Sequence, residues 1–527
     1  MTVIPSPMVV TAQGTLCGSE SSRCRKFLNV PFADPPQRWK PPTPPTPWEG
    51  VRDATEYGNV CPQPKRLILD GEAPFGPETQ PFSEDCLYLN VYTPPSSRLG
   101  DNAKLPVMVW IHGGSFTIGS NSTPVYRADS FVEDYDVCVV TVNYRLGVFG
   151  FFASEELRDE AKSNGTSYGN YGLLDQIAAV EWVANNIAAF GGDPERITLY
   201  GESAGAISVH FLCLYAPHLP IRRAIMQSGT AFTVVPSSPS ALAPFLAHVK
   251  IVTGSHSLAE LRAVPTEDLE RIMEEYQATA GLGKAISWRP VFDGDVPGGL
   301  VQHATTAGAV TAGLWNPNVE SVIIGDADEE GSYFARSFIG QTGPYTPARL
   351  EVHFPPALAT PLKAVYGPLY ADGSEELVKK AAGLYFSELL FHPGSRLAME
   401  GLAAKVKVYG YRFSASVQPA RNRGLEACHV VDIPYTFNHK AHLTPSELPL
   451  AKGLLSHWTN FAANGTPLSN WEPYSASEGG RRLLQFIDGD VEQKMVDRDA
   501  VKNFDAGRIG FWTGLHTAQV QAEKKAK

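Results

Sequence analysis

Short apolar runs alternate with longer helix-like stretches between about residues 104 and 325 of the chain. The apolar runs are rich in β-branched residues, as strands are, and several contain almost no polar position. The strand-like runs are LPVMVWI (105–111), VCVVTVNY (137–144), RITLY (196–200), RRAIMQS (222–228) and VESVIIG (319–325), and the helix-like stretches are DQIAAVEWVANNIAAF (175–190) and AISVHFLCLY (206–215). This alternation predicts an α/β fold with a mainly parallel sheet that is covered by helices on both faces. Ligands of such sheets bind beyond the carboxyl ends of the strands.

A single domain over residues 1–527 is expected, because the chain has no internal repeat and no low-complexity linker. Its length alone would allow about two to four domains, although large single-sheet enzymes reach this size through long insertions. The Pro-rich segment PPTPPTP at 41–47 is interpreted as an extended arm within that fold.

The composition is that of a globular chain, with 43% hydrophobic and 19% charged residues. The formal net charge of −11 disfavours a nucleic-acid partner, since phosphate binding needs a basic surface. No apolar run approaches the roughly 18 to 20 residues that would cross a bilayer. The start MTVIPSPMVVTAQG lacks the basic and apolar regions of a signal peptide, which favours a cytoplasmic location, or a secreted one if a leader precedes the chain.

A serine lies between two glycines in the stretch ITLYGESAGAISV, where a predicted strand must turn sharply into a predicted helix. The G-x-S-x-G pattern holds a nucleophilic serine on a strained turn, where neighbours without bulky side chains are required. Because the sequence predicts both a strand before this turn and a helix after it, Ser203 is the candidate nucleophile. The alternative interpretation is a structural turn.

A serine nucleophile also needs preorganised donors for the oxyanion and a base that removes its proton. The apolar strand in VWIHGGSF ends in His112, Gly113, Gly114 and Ser115, which would expose backbone N–H groups at the carboxyl edge of the sheet. This loop precedes the serine in the order that an oxyanion loop requires. His112 itself is interpreted as a residue that shapes the loop.

The acid and the base should follow the serine in that order along the chain. Four acidic residues crowd the loop after the last strong strand, in SVIIGDADEEGSYF, and Glu330 is favoured over Asp326, Asp328 and Glu329 because it begins a helix-like stretch. His429 in CHVVDIPYTF is the favoured base. His439 remains its rival, since spacing alone separates the two only modestly.

The chain resembles the type-B carboxylesterase/lipase family, the cholinesterase-like branch of the α/β-hydrolases, from about residue 11 to 515. Separate motifs carry this resemblance in order: SEDCLYLNVYTP, VWIHGGSF, NYRLGVFGF, GNYGLLDQ, FGGDPERITLYGESAGAISV, RRAIMQSGT, RPVFDGD, DEEGSYF, CHVVDIPYTF and WTNFAANGTP. The resemblance implies a large, mostly parallel sheet flanked by helices, with long insertions that shape a gorge.

The resemblance also implies roles for individual residues. Ser203 would be the nucleophile, Glu330 the acid and His429 the base. The oxyanion donors would be the backbone amides of Gly114, Ser115 and Ala204, with Gly113 keeping the loop tight.

Structural pairs follow from the same resemblance. They are the ion pairs of Arg38 with Glu84 and of Arg145 with Asp175, and a disulfide between Cys61 and Cys86 that closes a candidate flap loop over residues 62–85. That loop has no Trp, so the aromatic platform that cholinesterases use for a quaternary ammonium is missing and choline esters are not expected as substrates.

The sequence therefore predicts a serine carboxylic ester hydrolase that acts on small or medium esters through an acyl-serine intermediate, as a tailoring enzyme of specialised metabolism. No metal or organic cofactor is implied, and the expected partner is a small-molecule ester. One alternative is a lipase for long-chain acyl esters. The other, from a different class, is a catalytically idle binding or adhesion protein, because this fold alone does not fix function.

Overall fold

The computed structural model describes residues 6–64, 80–100, 103–279, 288–477, 479–489 and 493–526. Its strands, numbered in chain order, are β1 (Met8–Val10), β2 (Thr15–Cys17), β3 (Ser19–Glu20), β4 (Arg25–Pro31), β5 (Val51–Asp53), β6 (Tyr88–Thr93), β7 (Leu105–Ile111), β8 (Cys138–Val142), β9 (Gly192–Glu202), β10 (Ile221–Gln227), β11 (Ser321–Ala327), β12 (Lys407–Ser414), β13 (Arg482–Ile487) and β14 (Lys494–Asp497).

An eleven-stranded sheet forms the centre of the described chain, in the order β14-β13-β12-β11-β10-β9-β7-β8-β6-β4-β3. From β13 to β8 every neighbouring pair is parallel, and the pairs at both edges are antiparallel. A second sheet of three strands has the order β1-β2-β5. The predicted mainly parallel sheet is thus confirmed, with antiparallel edges that the sequence pattern did not indicate.

Both faces of the large sheet are buried, because successive residues of its strands enter different apolar clusters. In β7, Val107, Val109 and Ile111 belong to one cluster, whereas Met108 and Trp110 belong to the other. Side chains alternate between the two faces of a strand, so the unbroken apolar runs reflect cover on both sides. This burial makes the central strands a rigid base for the loops at their carboxyl ends.

Helices surround the sheet and mostly lie between its strands in the chain. The α-helices are Asp129–Asp134, Gly147–Phe151, Glu155–Asn164, Tyr171–Asn186, Ala204–Tyr215, Pro239–Thr253, Leu258–Ala263, Thr266–Thr279, Thr306–Thr311, Glu330–Phe338, Pro347–Glu351, Ala359–Tyr366, Glu375–Leu390, His392–Leu402, Gln418–Arg421, Ile433–Thr436, Leu448–Asn464 and Ala506–Ala526. None of the helices described is long and apolar enough to span a membrane.

Both ion pairs implied by the family resemblance are formed. Arg145 binds Asp175 with N–O distances of 2.8 and 2.7 Å, and both side chains are almost fully buried. Arg38 binds Glu84, and its guanidinium also donates to three backbone carbonyls near residue 262. These contacts tie the amino-terminal segments to the helices that follow them.

The implied disulfide between Cys61 and Cys86 is not formed in the structure. All seven cysteines are free thiols, and these two are buried. A hydrogen bond with Cys61 and burial raise the pKa of Cys86, and the backbone N–H of Leu146 donates to the sulfur of Cys61 at 3.2 Å. Hydrogen bonds therefore satisfy the two sulfur atoms without a covalent link. The candidate flap at 62–85 falls largely on residues 65–79, outside the described residues.

Candidate active site

The turn between β9 and the helix Ala204–Tyr215 carries Ser203 at the carboxyl edge of the sheet. Ser203 adopts a φ of 55°, a left-handed value that is uncommon for a residue with a side chain. The flanking glycines allow this turn to pack tightly, since a Cβ on Gly201 or on Gly205 would lie 2.6 Å or closer to backbone atoms of neighbouring residues. The G-x-S-x-G spacing therefore follows from local packing.

His429 lies directly beside this serine. Its Nε2 is 2.9 Å from Oγ of Ser203, a distance at which the hydroxyl donates a hydrogen bond to the imidazole. The loop that carries His429 is attached to the acidic loop, because Cys428 pairs with Glu329 in an isolated β-bridge. The rival His439 lies elsewhere, with its Nε2 3.2 Å from the carbonyl oxygen of Pro124.

Glu330 lies on the other side of the imidazole and begins the helix Glu330–Phe338. Its Oε2 is 2.6 Å from Nδ1 of His429, and its Oε1 accepts a hydrogen bond of 2.6 Å from the backbone N–H of Ala327. Ser203, His429 and Glu330 thus form one continuous hydrogen-bonded chain, although 127 and 99 residues separate successive members in sequence. A serine, an imidazole and a carboxylate in this arrangement form the constellation of nucleophile, base and orienting acid.

The other acidic residues of the same loop have different partners. Asp326 binds Arg412 at 2.6 Å, and Glu329 binds Lys502 at 2.7 Å. Oδ1 of Asp328 lies 3.8 Å from Nε of Arg412. The structure therefore brings only Glu330 of the four to the imidazole.

The loop after β7 lies against the serine turn, as an oxyanion loop must. A Cβ on Gly113 would lie 2.8 Å from atoms of Glu202 and 3.1 Å from Cβ of Ser203, so the position has no room for a side chain. Gly114 and Ser115 have φ values of 105° and 54°. Among the described residues, none accepts a hydrogen bond from the backbone N–H of Gly114 or Ser115.

His112 supports that loop through its ring. The ring stacks on Tyr144 with centroids 4.4 Å apart, and its Nδ1 lies 2.8 Å from the carbonyl oxygen of Gly113. Burial lowers the pKa of His112 to about 4, which keeps the ring neutral. Its surroundings agree with the predicted role in shaping the loop.

The charges of two further buried carboxyl groups, Glu202 and Asp432, raise the pKa of His429, and the sequence reasoning missed both. Oε1 of Glu202 lies 3.2 Å from Nε2 of His429, and Asp432 follows the histidine by three residues. Burial raises the pKa of Glu202 well above its usual range and raises that of Asp432 to about 6. The signal for Glu202 was available, because this acidic residue ends β9 directly before Ser203.

The electrostatic balance at His429 favours its protonated form. Burial alone would lower its pKa, but Glu202 and Glu330 outweigh this effect and raise the pKa to about 9. Burial would likewise raise the pKa of Glu330, but His429 and the hydrogen bonds that the carboxylate accepts hold it below its usual value. The surroundings thus stabilise an imidazolium beside an ionised Glu330, which is the charge state that proton removal from a serine creates.

Within the part of the chain that the structure describes, no group of three or more His, Cys, Asp or Glu side chains is arranged to hold a metal ion.

Comparisons with known proteins agree with this geometry. The family model described as the carboxylesterase family matches residues 5–496. The para-nitrobenzyl esterase of Bacillus subtilis (strain 168) is 33% identical over 484 residues, which cover 89% of this chain and 92% of that protein. The phenmedipham hydrolase of Pseudarthrobacter oxydans is 32% identical over 453 residues, covering 82% and 83%.

A solved structure shows the same fold. The structure of a thermophilic PNB esterase superposes with a TM-score of 0.77 at 31% sequence identity, and the match covers 94% of this chain and 98% of that one. The predicted α/β-hydrolase fold is confirmed by this similarity and by the observed sheet.

Proposed function

The chain belongs to the carboxylesterase family and hydrolyses carboxylic esters, and from this premise we propose that hydrolysis proceeds through an acyl-serine intermediate on Ser203. The observation that carries the proposal is the hydrogen-bonded chain from Ser203 through His429 to Glu330. All three side chains are at least nine-tenths buried, so little water competes for these hydrogen bonds.

In the first step, His429 takes the proton of the Ser203 hydroxyl as the oxygen attacks the carbonyl carbon of the ester. The carbonyl oxygen becomes an oxyanion, which the backbone amides of Gly114, Ser115 and Ala204 stabilise. When the tetrahedral intermediate collapses, the bond to the alcohol oxygen breaks and His429 gives its proton to the departing alcohol. The products of this step are a free alcohol and an acyl group on Ser203.

In the second step, water replaces the alcohol. His429 removes a proton from the water molecule, whose oxygen attacks the acyl carbon, and the same amides hold the new oxyanion. Collapse of this intermediate returns the proton from His429 to the oxygen of Ser203 and releases the carboxylic acid. Glu330 keeps the imidazole oriented and stabilises its protonated form in both steps.

We propose small or medium esters with apolar or aromatic groups as substrates, because aromatic rings surround the base. The rings of Phe391, Phe334 and Tyr333 lie 4.5, 5.1 and 6.2 Å from the ring of His429. Since His429 protonates the leaving alcohol, that alcohol must pass close to these rings. A tailoring role in specialised metabolism stays a prediction.

The experiment for this proposal removes the nucleophile. Ser203→Ala should abolish the release of p-nitrophenol from p-nitrophenyl acetate while the melting temperature stays close to that of the parent. Ser321→Ala is the matched control, because Ser321 is also buried, at the amino end of β11, and its hydroxyl has no hydrogen-bond partner among the described residues. Retained hydrolysis by a clean Ser203→Ala preparation would overturn the proposal.

A series of p-nitrophenyl esters from acetyl to palmitoyl separates the esterase from the lipase alternative. We expect an optimum at short or medium chains and no jump in rate where the substrate exceeds its solubility. A long-chain optimum with such a jump would favour the lipase instead.

A further inference from the structure

Three consecutive residues at the carboxyl end of β10 contact Ser203, Glu330 and the segment that follows His429, although the mechanism above uses none of them. They are Gln227, Ser228 and Gly229, here named the QSG turn. β10 lies between β9, which leads to Ser203, and β11, which leads to Glu330. In the sheet register, Gln227 is paired with Glu202 on one side and Gly325 on the other.

The first contact is with the nucleophile. The backbone carbonyl of Gln227 accepts a hydrogen bond of 2.9 Å from the backbone N–H of Ser203. Gly229 packs on the same residue, and a Cβ at that position would lie 2.6 Å from the carbonyl oxygen of Ser203. The QSG turn therefore supports the strained backbone of the serine from outside its own loop.

The second contact is with the segment of the base. The side-chain amide of Gln227 donates to Oδ2 of Asp432 at 2.8 Å and to Oγ1 of Thr436 at 3.0 Å. Both residues follow His429 closely in the chain. Oε1 of Gln227 accepts from the indole N–H of Trp458 at 3.4 Å, so both polar atoms of this fully buried amide have partners.

The third contact is with the acid. The side chain of Ser228 helps to lower the pKa of Glu330, and the backbone N–H of Ser228 donates to the carbonyl of Gly325, in the strand that leads to Glu330, at 2.8 Å. Ser228 has a φ of 53°, which costs energy for a residue with a side chain. Such a conformation persists only where the surrounding contacts fix it.

We infer that the QSG turn is the positioning element that fixes Ser203, His429 and Glu330 relative to one another. The inference rests on the proposed triad, whose members come from three loops that are far apart in sequence. Catalytic groups must be held within about 0.5 Å of their productive geometry, and one buried turn that binds all three loops meets that need. Gln227 and Ser228 are thus positioning residues that do not touch the reacting atoms.

The test measures kcat per active site in Gln227→Met, which keeps the volume of the side chain but cannot donate to Asp432. We expect kcat to fall about 10- to 100-fold, the cost of a misplaced catalytic group, with KM changed only a few-fold. A fluorophosphonate probe counts the active sites, so misfolded protein does not lower the measured value. Gln485→Met is the control, because Gln485 makes one similar hydrogen bond to Ser414 between β13 and β12.

A pH profile separates positioning from simple stability. Gln227→Glu places a carboxyl group against Asp432, and a hydrogen bond between them then requires a shared proton. Asp432 also accepts a hydrogen bond from the hydroxyl of Tyr411. The charges of Glu330 and His429 shift the pKa of Asp432, and the charge of Asp432 in turn shifts the pKa of Glu202. The ratio of variant to parent kcat should therefore rise as the pH falls from about 8 to about 5.

Ser228→Ala tests the contact of the QSG turn with Glu330 through a smaller change, and it keeps the inference testable if the Gln227 variants do not fold. Its kcat per active site should fall about tenfold, whereas Ser321→Ala should not change it. Parent-like kcat per site in Ser228→Ala and in any Gln227 variant that folds, with a flat pH ratio, would overturn the inference. Absence of any probe on Ser203 in the parent protein would instead overturn the proposed function.

Discussion

At the scale of single residues, the site is defined by the charges around one imidazole. His429 contacts Glu330 through Nδ1 and both Ser203 and Glu202 through Nε2. The two carboxyl groups have different surroundings, since Glu330 is hydrogen-bonded to His429 and to the backbone N–H of Ala327, whereas Oε1 of Glu202 accepts no hydrogen bond in the described structure. The surroundings of Glu330 suit a permanent anion, whereas those of Glu202 suit a group that exchanges its proton as the pH changes.

The pH dependence of kcat/KM should report this arrangement. His429 acts as a base only when unprotonated, and its pKa is raised to about 9, so kcat/KM should rise with pH up to about 9. Glu202→Gln removes a carboxylate that favours the imidazolium when it is ionised, so the pKa of His429 should fall and the acid limb should move to lower pH. Glu195→Gln, at the exposed start of β9, is the control. A limb that stays in place or moves to higher pH would contradict this account.

Replacement of the orienting acid should be far more damaging than replacement of its neighbour. Glu330→Gln should lower kcat by roughly three to four orders of magnitude, because the amide cannot stabilise the imidazolium. Glu329→Gln should stay within a few-fold of the parent, since Glu329 binds Lys502 at the edge of the site. Steady-state kinetics with p-nitrophenyl acetate measures both, and a reversed order would assign the acid to Glu329.

At the scale of elements, the site depends on the contact between the serine turn and the end of β7. Gly205 opens the helix Ala204–Tyr215 directly against Ile111, the last residue of β7. Beyond Ile111 the chain continues into the loop with Gly113, Gly114 and Ser115. The same contact therefore supports the proposed nucleophile and the proposed oxyanion donors.

A methyl group at Gly205 should break this contact. In Gly205→Ala the new Cβ would lie 2.0 Å from the carbonyl oxygen of Ile111, and neither backbone can yield without moving the loop. We expect a lower melting temperature and a loss of most activity per molecule of folded protein. Gly514→Ala, in the helix Ala506–Ala526, is the control, because a Cβ at this position would have no atom of the described residues within 4 Å. This substitution should not destabilise the protein.

The central elements could be predicted because burial on both faces requires unbroken runs of apolar residues, which are visible in the sequence. The run at 105–111 coincides with β7, and the helix predicted at 206–215 is observed as Ala204–Tyr215. The antiparallel strand β4 was missed, because its polar ends interrupt the apolar pattern. The helix predicted at 175–190 begins at Tyr171, where Gly172 and Leu173 are as buried as the later turns.

The site could be predicted only in part, for a physical reason. Ser203 and the oxyanion loop are visible in the sequence because backbone strain demands glycines at fixed spacing. The acid and the base have no such local requirement, so Glu330 was favoured over Asp326, Asp328 and Glu329 only by its place at the start of a helix-like stretch, a choice with which the family resemblance agreed. The contact of Glu202 with the base depends on loops that meet only in the folded chain.

At the scale of the whole molecule, the parallel strands bring distant loops to one edge. The loops after β7, β9, β10 and β11 all lie at the carboxyl ends of adjacent strands. Two apolar clusters cover the faces of this sheet, and a third cluster joins the helices Glu330–Phe338 and Glu375–Leu390. The proposed catalytic groups thus lie at the ends of strands that are buried on both faces.

The oxidation state of the cysteines can be tested over the whole chain. The sequence has seven cysteines, and none of them forms a disulfide in the structure. Iodoacetamide added to denatured protein without a reductant should therefore give seven adducts by intact mass. Five adducts that increase to seven after reduction would show that Cys61 and Cys86 form the disulfide that the family resemblance implies.

The central claim is that Ser203 is the residue that carries the acyl group. The most direct measurement is to react the purified protein with a fluorophosphonate probe and locate the adduct by peptide mass spectrometry. The account predicts one adduct, on Ser203, formed at the rate at which p-nitrophenyl acetate hydrolysis is lost and absent from Ser203→Ala. An active protein that loses hydrolysis through an adduct on another residue, or that resists the probe altogether, would contradict it.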